Sequence, residues 1–135
     1  MNDGALGSLL DAVVDMVLVD AYGEEEQLGA WETVLEDVIA VPAEAVLLGR
    51  LVTVTEIGVP CGRPEVAAYC RAAQGGSGEI AVADLVFPPA SEAAWLHAAY
   101  RRCLGLVPFP ARPRPDWTWP PDRRRSLAPA PPRPA

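Results

Sequence analysis

The apolar residues of this chain change their spacing near residue 40, and this change restricts the fold more than any single motif. Between residues 6 and 40 they recur three, four or seven positions apart, the spacing of one stripe on an α-helix. The stripe consists of Leu10, Val14, Val17, Ala21, Leu28, Trp31, Leu35 and Val38. Beyond residue 42, short β-branched stretches alternate with glycine and proline turns. We therefore predict an α+β fold, with an N-terminal helix packed on a small antiparallel sheet.

The helical stretch contains one interruption, at Gly23. Glycine in a helix interior costs about 1 kcal/mol relative to alanine, so residues 6–40 form either one kinked helix or two elements. If there are two, Asp20 is a candidate N-cap of the second. Pro42 ends the helical stretch, because a proline disfavours helical geometry in the residue before it.

Four short stretches after Pro42 have the composition of β-strands. They are residues 43–49, 51–59, 65–73 and 79–87. Valine and threonine alternate over residues 52–55, as they do in a half-buried strand. Turn residues separate the stretches, including Gly-Gly-Ser-Gly at 75–78. Consecutive short strands with tight turns favour an antiparallel meander, which we expect to curl into a small SH3-like barrel of four to five strands.

A further helix follows the strands. Two prolines, Pro88 and Pro89, break the last strand, and Ser91 is a candidate N-cap. Residues 92–105 then form a helix that Gly105 ends. Its expected buried stripe contains Trp95, Ala98 or Ala99, and Leu104. Two arginines near its end complement the negative C-terminal end of the helix dipole.

Residues 107–135 differ from the rest of the chain in composition and in charge. They contain ten of the 15 prolines, so we expect a disordered or polyproline-like tail outside a folded domain of residues 1–106. Residues 1–100 carry 16 acidic side chains and three arginines, whereas residues 101–135 carry eight arginines and two aspartates. The negative charge of the domain excludes nucleic-acid binding by it, because that affinity depends on neutralising phosphates. No apolar stretch is long enough to span a bilayer, so we expect no membrane partner and a cytoplasmic location.

The most acidic stretch is residues 19–37, which contain seven carboxylates and neither lysine nor arginine. Carboxylates four residues apart on a helix repel one another, and no cation at that spacing offsets the repulsion. Three interpretations remain open: a solvated helix face, a site for a hard cation such as Ca²⁺, and a docking surface for a basic protein segment or the protein's own tail. The candidate cation ligands are Asp20, Glu25, Glu32, Glu36 and Asp37.

Other chemistries have weaker support in the sequence. Three cysteines and one histidine suffice in number for a zinc site, but the cysteines lack a short C-x₂₋₄-C spacing. These four residues are Cys61, Cys70, His97 and Cys103. Isolated cysteines between apolar residues are typical of a protein core. No serine or cysteine lies in a nucleophile motif, so we expect a protein without catalytic activity.

Several residues of the acidic stretch also form an ordered pattern. They are Asp20, Tyr22, Glu26, Gln27, Trp31, Leu35, Glu36, Asp37 and Pro42, followed by the short strands. The pattern resembles the small bacterial calcium-binding family first known from cyanobacteria, and the resemblance extends over about residues 15–104. It implies low-affinity Ca²⁺ binding, as a buffer or sensor, by carboxylates of residues 20–37. Two features depart from the family pattern: Ala43 replaces the expected phenylalanine, and the later loops contain few acids.

Overall fold

The computed structural model describes residues 3–112 of the protein, with side chains from residue 6 onward. The described residues form three helices and one four-stranded antiparallel sheet, which confirms the predicted α+β class. In chain order the elements are α1 (Asp3–Val17), α2 (Glu24–Ile39), β1 (Ala43–Leu47), β2 (Arg50–Gly58), β3 (Ala67–Ala72), β4 (Ser77–Ala81), a 3₁₀ turn (Val82–Asp84) and α3 (Glu92–Cys103). Within this part of the chain, no helix is both long enough and apolar enough to cross a membrane.

The N-terminal helical stretch consists of two helices, and the second begins at the glycine that interrupts the apolar pattern. Gly23 is the N-cap residue of α2, with an extended backbone and no side-chain cap. The prediction that Asp20 caps α2 is therefore wrong. Asp20 lies before the cap position, and a capping side chain reaches only the N–H groups two or three residues ahead of it. At the other end of α2, the C-cap residue Ala40 has a left-handed backbone with φ 51°.

The sheet is a meander in which each strand pairs with the next, in the order β1-β2-β3-β4. This confirms the antiparallel meander. The sheet is open, and its first strand has one further partner: Val46 and Val86 exchange two backbone hydrogen bonds of 2.8 Å in an isolated bridge. Full closure into an SH3-like barrel stays a prediction.

The predicted strand over residues 79–87 is only partly present. β4 starts earlier, at Ser77, and gives way after Ala81 to the 3₁₀ turn. Burial explains the difference. Val82, Ala83 and Leu85 are all buried, whereas a strand with one solvent-facing side buries every second residue.

α3 lies at the centre of the core. All eight residues from Ala93 to Tyr100 are buried, and the helix packs against α1, α2 and the 3₁₀ turn. Ser91 caps α3 as predicted, because its hydroxyl oxygen accepts a hydrogen bond of 3.1 Å from the Ala94 N–H. The expected burial of Trp95, Ala98 and Ala99 is confirmed. Burial of Leu104 is not: this side chain is 48% exposed, because it belongs to the C-cap residue beyond the packed part of the helix.

The first six residues of the expected tail, 107–112, contact the domain. The Arg101 Nε donates a hydrogen bond of 2.7 Å to the Val107 carbonyl, and the Arg112 N–H donates one of 2.7 Å to the Pro89 carbonyl. Residues 113–135, and with them most of the predicted disorder, lie outside the described residues.

Candidate cation site on the acidic helix

α2 has an apolar side and an acidic side. The apolar side buries Trp31, Val34, Leu35 and Ile39 in the core. Of the predicted cation ligands, Asp20, Glu25, Glu36 and Asp37 are exposed, and Glu32 is half-buried. None of the five forms an ion pair within residues 3–112, so no side chain of the described part balances their charge.

The acids at the start of α2 have a structural explanation. Glu24, Glu25 and Glu26 form its first turn, where the positive end of the helix dipole stabilises a carboxylate by about 0.3–1 kcal/mol. Glu26 also lines a shallow groove between α1 and α2, together with Asp20. The carboxylates in the first turn of α2 are therefore stabilised by the helix dipole, and their presence does not require a bound cation.

Glu25 and Glu32 face a different groove, between α2 and the loop that joins β2 to β3. The loop contributes Arg63 to the wall of this groove. That guanidinium is already engaged, because it pairs with Glu79 and lies 3.6 Å from a Glu65 carboxylate oxygen. The two glutamates of α2 therefore have an arginine nearby but share in none of its ion pairs.

The acids at the end of α2 have no such explanation. Glu36 and Asp37 lie near its C-terminus, where the last turn contains no basic residue and the negative end of the helix dipole disfavours carboxylates. Asp37 also lies close enough to Glu92, in the first turn of α3, to affect its titration. Burial, and then the charge of Asp37, raise the pKa of the Glu92 carboxyl. Two helices thus bring like charges together, an arrangement that a divalent cation would relieve.

The structure separates the five predicted ligands into three places. Asp20 lies in the groove between α1 and α2, Glu25 and Glu32 face the loop between β2 and β3, and Glu36 and Asp37 lie at the end of α2. Within residues 3–112, no three carboxylate, histidine or cysteine side chains gather into a metal-binding group. The predicted ligands therefore do not form a single pre-assembled coordination shell.

Sequence reasoning missed Glu92 as a member of the candidate site. The available signal was the N-cap at Ser91, which places Glu92 in the first turn of a helix. That signal gives no information on which other helix packs nearby. The proximity of Glu92 to Asp37 arises from the packing of α2 on α3, which is a tertiary contact.

The alternative zinc ligands are dispersed. Cys70 and His97 are buried, whereas Cys61 and Cys103 are exposed. The His97 Nε2 lies 2.7 Å from the Val82 carbonyl oxygen, so this nitrogen carries the proton and donates. The zinc interpretation thus finds no ligand group among the described residues.

Comparison with known proteins supports the fold. No family model matches the chain, and no curated protein matches it. Among solved structures, the chain is similar to the crystal structure of Anabaena CcbP, a cyanobacterial protein, with a TM-score of 0.57 and 14% sequence identity. The similarity covers 79% of this chain and 96% of the CcbP chain. At this level of identity the likeness is one of fold alone, and the protein shares that fold with Anabaena CcbP.

Proposed function

We propose that this is a non-catalytic, low-affinity calcium-binding protein that uses carboxylates of α2, chiefly Glu36 and Asp37, with Glu92 of α3 as a neighbour of Asp37. The observation that carries the proposal is that Glu36 and Asp37 lie at the C-terminal end of α2, with no basic residue in its last turn and no ion pair within residues 3–112. The charge of Asp37 also helps to raise the pKa of the Glu92 carboxyl on α3. Carboxylates repel one another there, and the helix dipole favours a cation. The resemblance of residues 20–42 to the cyanobacterial calcium-binding family supports calcium as the cation.

The chemistry of the site agrees with a hard cation bound weakly. Ca²⁺ takes six to eight oxygen ligands from carboxylates, carbonyls and water. The last carbonyls of a helix lack intrahelical partners, and the Glu36 carbonyl at the end of α2 accepts a long hydrogen bond of 3.4 Å from the Ala40 N–H. Because few side chains contribute, water must complete the shell. We therefore expect a dissociation constant in the weak range of about 10⁻⁴–10⁻³ M.

A calcium titration of the full chain, followed by backbone amide NMR shifts, tests this proposal. The largest shifts are expected at the end of α2 and the start of α3. Asp37→Asn removes one carboxylate ligand and should weaken binding about tenfold, which corresponds to roughly 1.4 kcal/mol. Glu24→Gln is the matched control, since it removes the same charge about 20 Å away along the helix, beyond the screening length of about 8 Å.

The control variant should bind calcium nearly as well as the wild-type protein. If millimolar Ca²⁺ produces neither heat in calorimetry nor amide shifts, the calcium proposal is wrong. If both variants lose the same affinity, the carboxylates act only through the total charge of the protein. That outcome rules out a site at Asp37.

A second candidate function is a protein-interaction module whose acidic helix docks a basic segment. It is favoured by the groove that Glu25 and Glu32 line, because its other wall includes the apolar residues Val59 and Pro60, and the Arg63 guanidinium in that wall is already paired with Glu79 and Glu65. A groove with carboxylates on one side and apolar groups on the other suits an arginine-rich peptide. Titration with such a peptide would then shift the amides of residues 25–32, with an affinity that falls steeply with salt, whereas calcium alone would shift none of α2.

A further inference from the structure

The start of the C-terminal segment lies against α3 and leads the chain to one particular place on the domain. The Arg101 guanidinium stacks over the Phe109 ring at 3.7 Å from its centroid, and Phe109 in turn stacks on His97 with ring centroids 5.8 Å apart. The Arg112 N–H then donates its hydrogen bond to the Pro89 carbonyl. The chain therefore leaves the described structure directly beside Pro89.

Pro89 is also part of the wall of an apolar groove next to β1. The groove is lined by Glu44, Val46, Leu51, Val86, Phe87, Pro88 and Pro89. Its volume is about 230 Å³, below the roughly 300–1,000 Å³ of most small-molecule sites. Leu51 is 53% exposed in this wall. A groove of this size and lining suits one large apolar side chain.

We propose that the segment Pro-Arg-Pro-Asp-Trp-Thr-Trp, residues 113–119, folds back and inserts a tryptophan side chain into this groove. The distance allows it: Trp117 follows Arg112 by five residues, which span about 15 Å at the 3.1 Å per residue of a polyproline helix. Tryptophan has the largest apolar surface of any side chain and gains most from leaving water. The segment is tethered beside the groove, so its effective concentration there is high.

The C-terminal residues beyond Arg112 carry a net charge opposite to that of the rest of the protein. Residues 1–112 carry 16 acids and six arginines, a net charge of −10, whereas residues 113–135 carry five arginines and two aspartates, a net charge of +3. Glu44 lines the groove and forms no ion pair with any residue of the described part. Arg114 is the first cation beyond the described residues and precedes the two tryptophans. Residues 113–119 themselves are neutral, because Asp116 balances Arg114, so they supply the apolar anchor, and the net positive charge lies in residues 120–135 that follow.

¹⁹F NMR of the full chain labelled with 5-fluorotryptophan tests this proposal, because the four tryptophans give four resonances. Trp117→Phe and Trp119→Phe assign the two resonances of the segment. A synthetic peptide of residues 113–135 gives their positions when undocked. In the wild-type protein we expect at least one of the two to differ from its peptide position.

Leu51→Glu places a charge in the groove and should return that resonance to its peptide position. Leu48→Glu is the matched control, since Leu48 is 93% exposed in the turn after β1 and does not line the groove. The same substitution there should leave the resonance unmoved. The buried residues Trp31 and Trp95 report in the same spectrum that each variant is folded.

Two results would overturn the proposal directly: both indoles at their peptide positions in the wild-type protein at low salt, or equal effects of the two leucine substitutions. A third result concerns the source of the indole. If the shifted resonance is lost on dilution while sedimentation shows a dimer becoming a monomer, the groove holds the segment of a second copy. Docking within one chain is then wrong.

Discussion

Acidification tests how His97 is packed, because this side chain is 1% exposed and lies within the buried stretch of α3. Its pKa is lowered from 6.5 to about 4. Burial is the main cause, and the positive charge of Arg101 adds to it, while the hydrogen bond to the Val82 carbonyl and the charge of Asp84 act in the opposite direction. The folded protein therefore holds the imidazole neutral under conditions in which the unfolded chain protonates it.

The sign and size of the effect follow from this difference. Below pH 6.5 the unfolded state binds a proton at His97, whereas the folded state does not until the pH approaches 4. The unfolded state thus binds more protons throughout this window, so the free energy of unfolding falls as the pH falls. A pKa difference between 6.5 and about 4 corresponds to about 3 kcal/mol, at roughly 1.4 kcal/mol per pKa unit. That is a large share of the 5–15 kcal/mol typical of a domain.

Urea unfolding of the wild-type protein and of His97→Phe between pH 7 and pH 4 measures this contribution. The variant loses the hydrogen bond to Val82 at every pH, which shifts its stability by a constant amount. It also loses the histidine proton, so its stability should fall less on acidification, by about 3 kcal/mol. Carboxylates titrate in both proteins and cancel in the comparison. If the two stabilities fall in parallel, the folded state already accommodates the imidazolium and the reasoning is refuted.

Two further predictions concern hydrogen bonds to α3 and its flank. Tyr100→Phe removes the phenol oxygen that accepts a hydrogen bond of 3.2 Å from the buried Val66 N–H, and should lower the free energy of unfolding in urea by about 1–3 kcal/mol. Tyr69→Phe is the same change at a side chain that is 47% exposed, and its free energy of unfolding should stay within about 0.5 kcal/mol of the wild-type value. Equal losses in the two variants would contradict the role of the bond to Val66. Ser91→Ala removes the hydroxyl oxygen that accepts a hydrogen bond from the Ala94 N–H and should lower the free energy of unfolding by about 0.5–2 kcal/mol. An unchanged melting temperature would show that water replaces this hydrogen bond.

The parts of the fold that the sequence predicts correctly depend on chemistry only a few residues wide. Ser91 is a cap because its hydroxyl reaches an N–H three residues ahead. Gly105 follows the last helix because it takes a left-handed backbone, with φ 80°, at little cost. Pro42 follows the end of α2 because a proline disfavours helical geometry in the residue before it. Each signal is complete within one turn of the chain.

The incorrect predictions concern residues whose conformation or exposure depends on how they pack in the tertiary structure. Val82, Ala83 and Leu85 form an apolar run without a clear period, which a strand and a buried turn both satisfy. The packing of α3 over the run selects the turn, and the His97 ring donates to its Val82 carbonyl. Leu104 is predicted to be buried but is exposed. It continues the apolar stripe of α3 in the sequence, but the core that would bury it ends with Tyr100.

The candidate site could be predicted in its residue types and only partly in its arrangement. The excess of acids over residues 19–37 is visible in the sequence, as is their position on a helix. Their separation into three places is not, because it depends on which neighbouring elements pack beside each turn of α2. Glu92 illustrates the limit. It is 55 positions from Asp37 in the chain, and only the packing of two helices makes them electrostatic neighbours.

The number of acids on α2 therefore overstates how much of it is available to a cation. The first-turn carboxylates already interact favourably with the helix dipole, so a cation that neutralises them competes with an existing stabilising interaction. At the other end, Glu36 and Asp37 oppose the dipole, and Glu92 adds a third charge. A cation bound there removes repulsion and aligns with the dipole at once. If the protein binds calcium, the free energy that favours binding is greatest at this end of the helix, even though the start of the helix has more carboxylates.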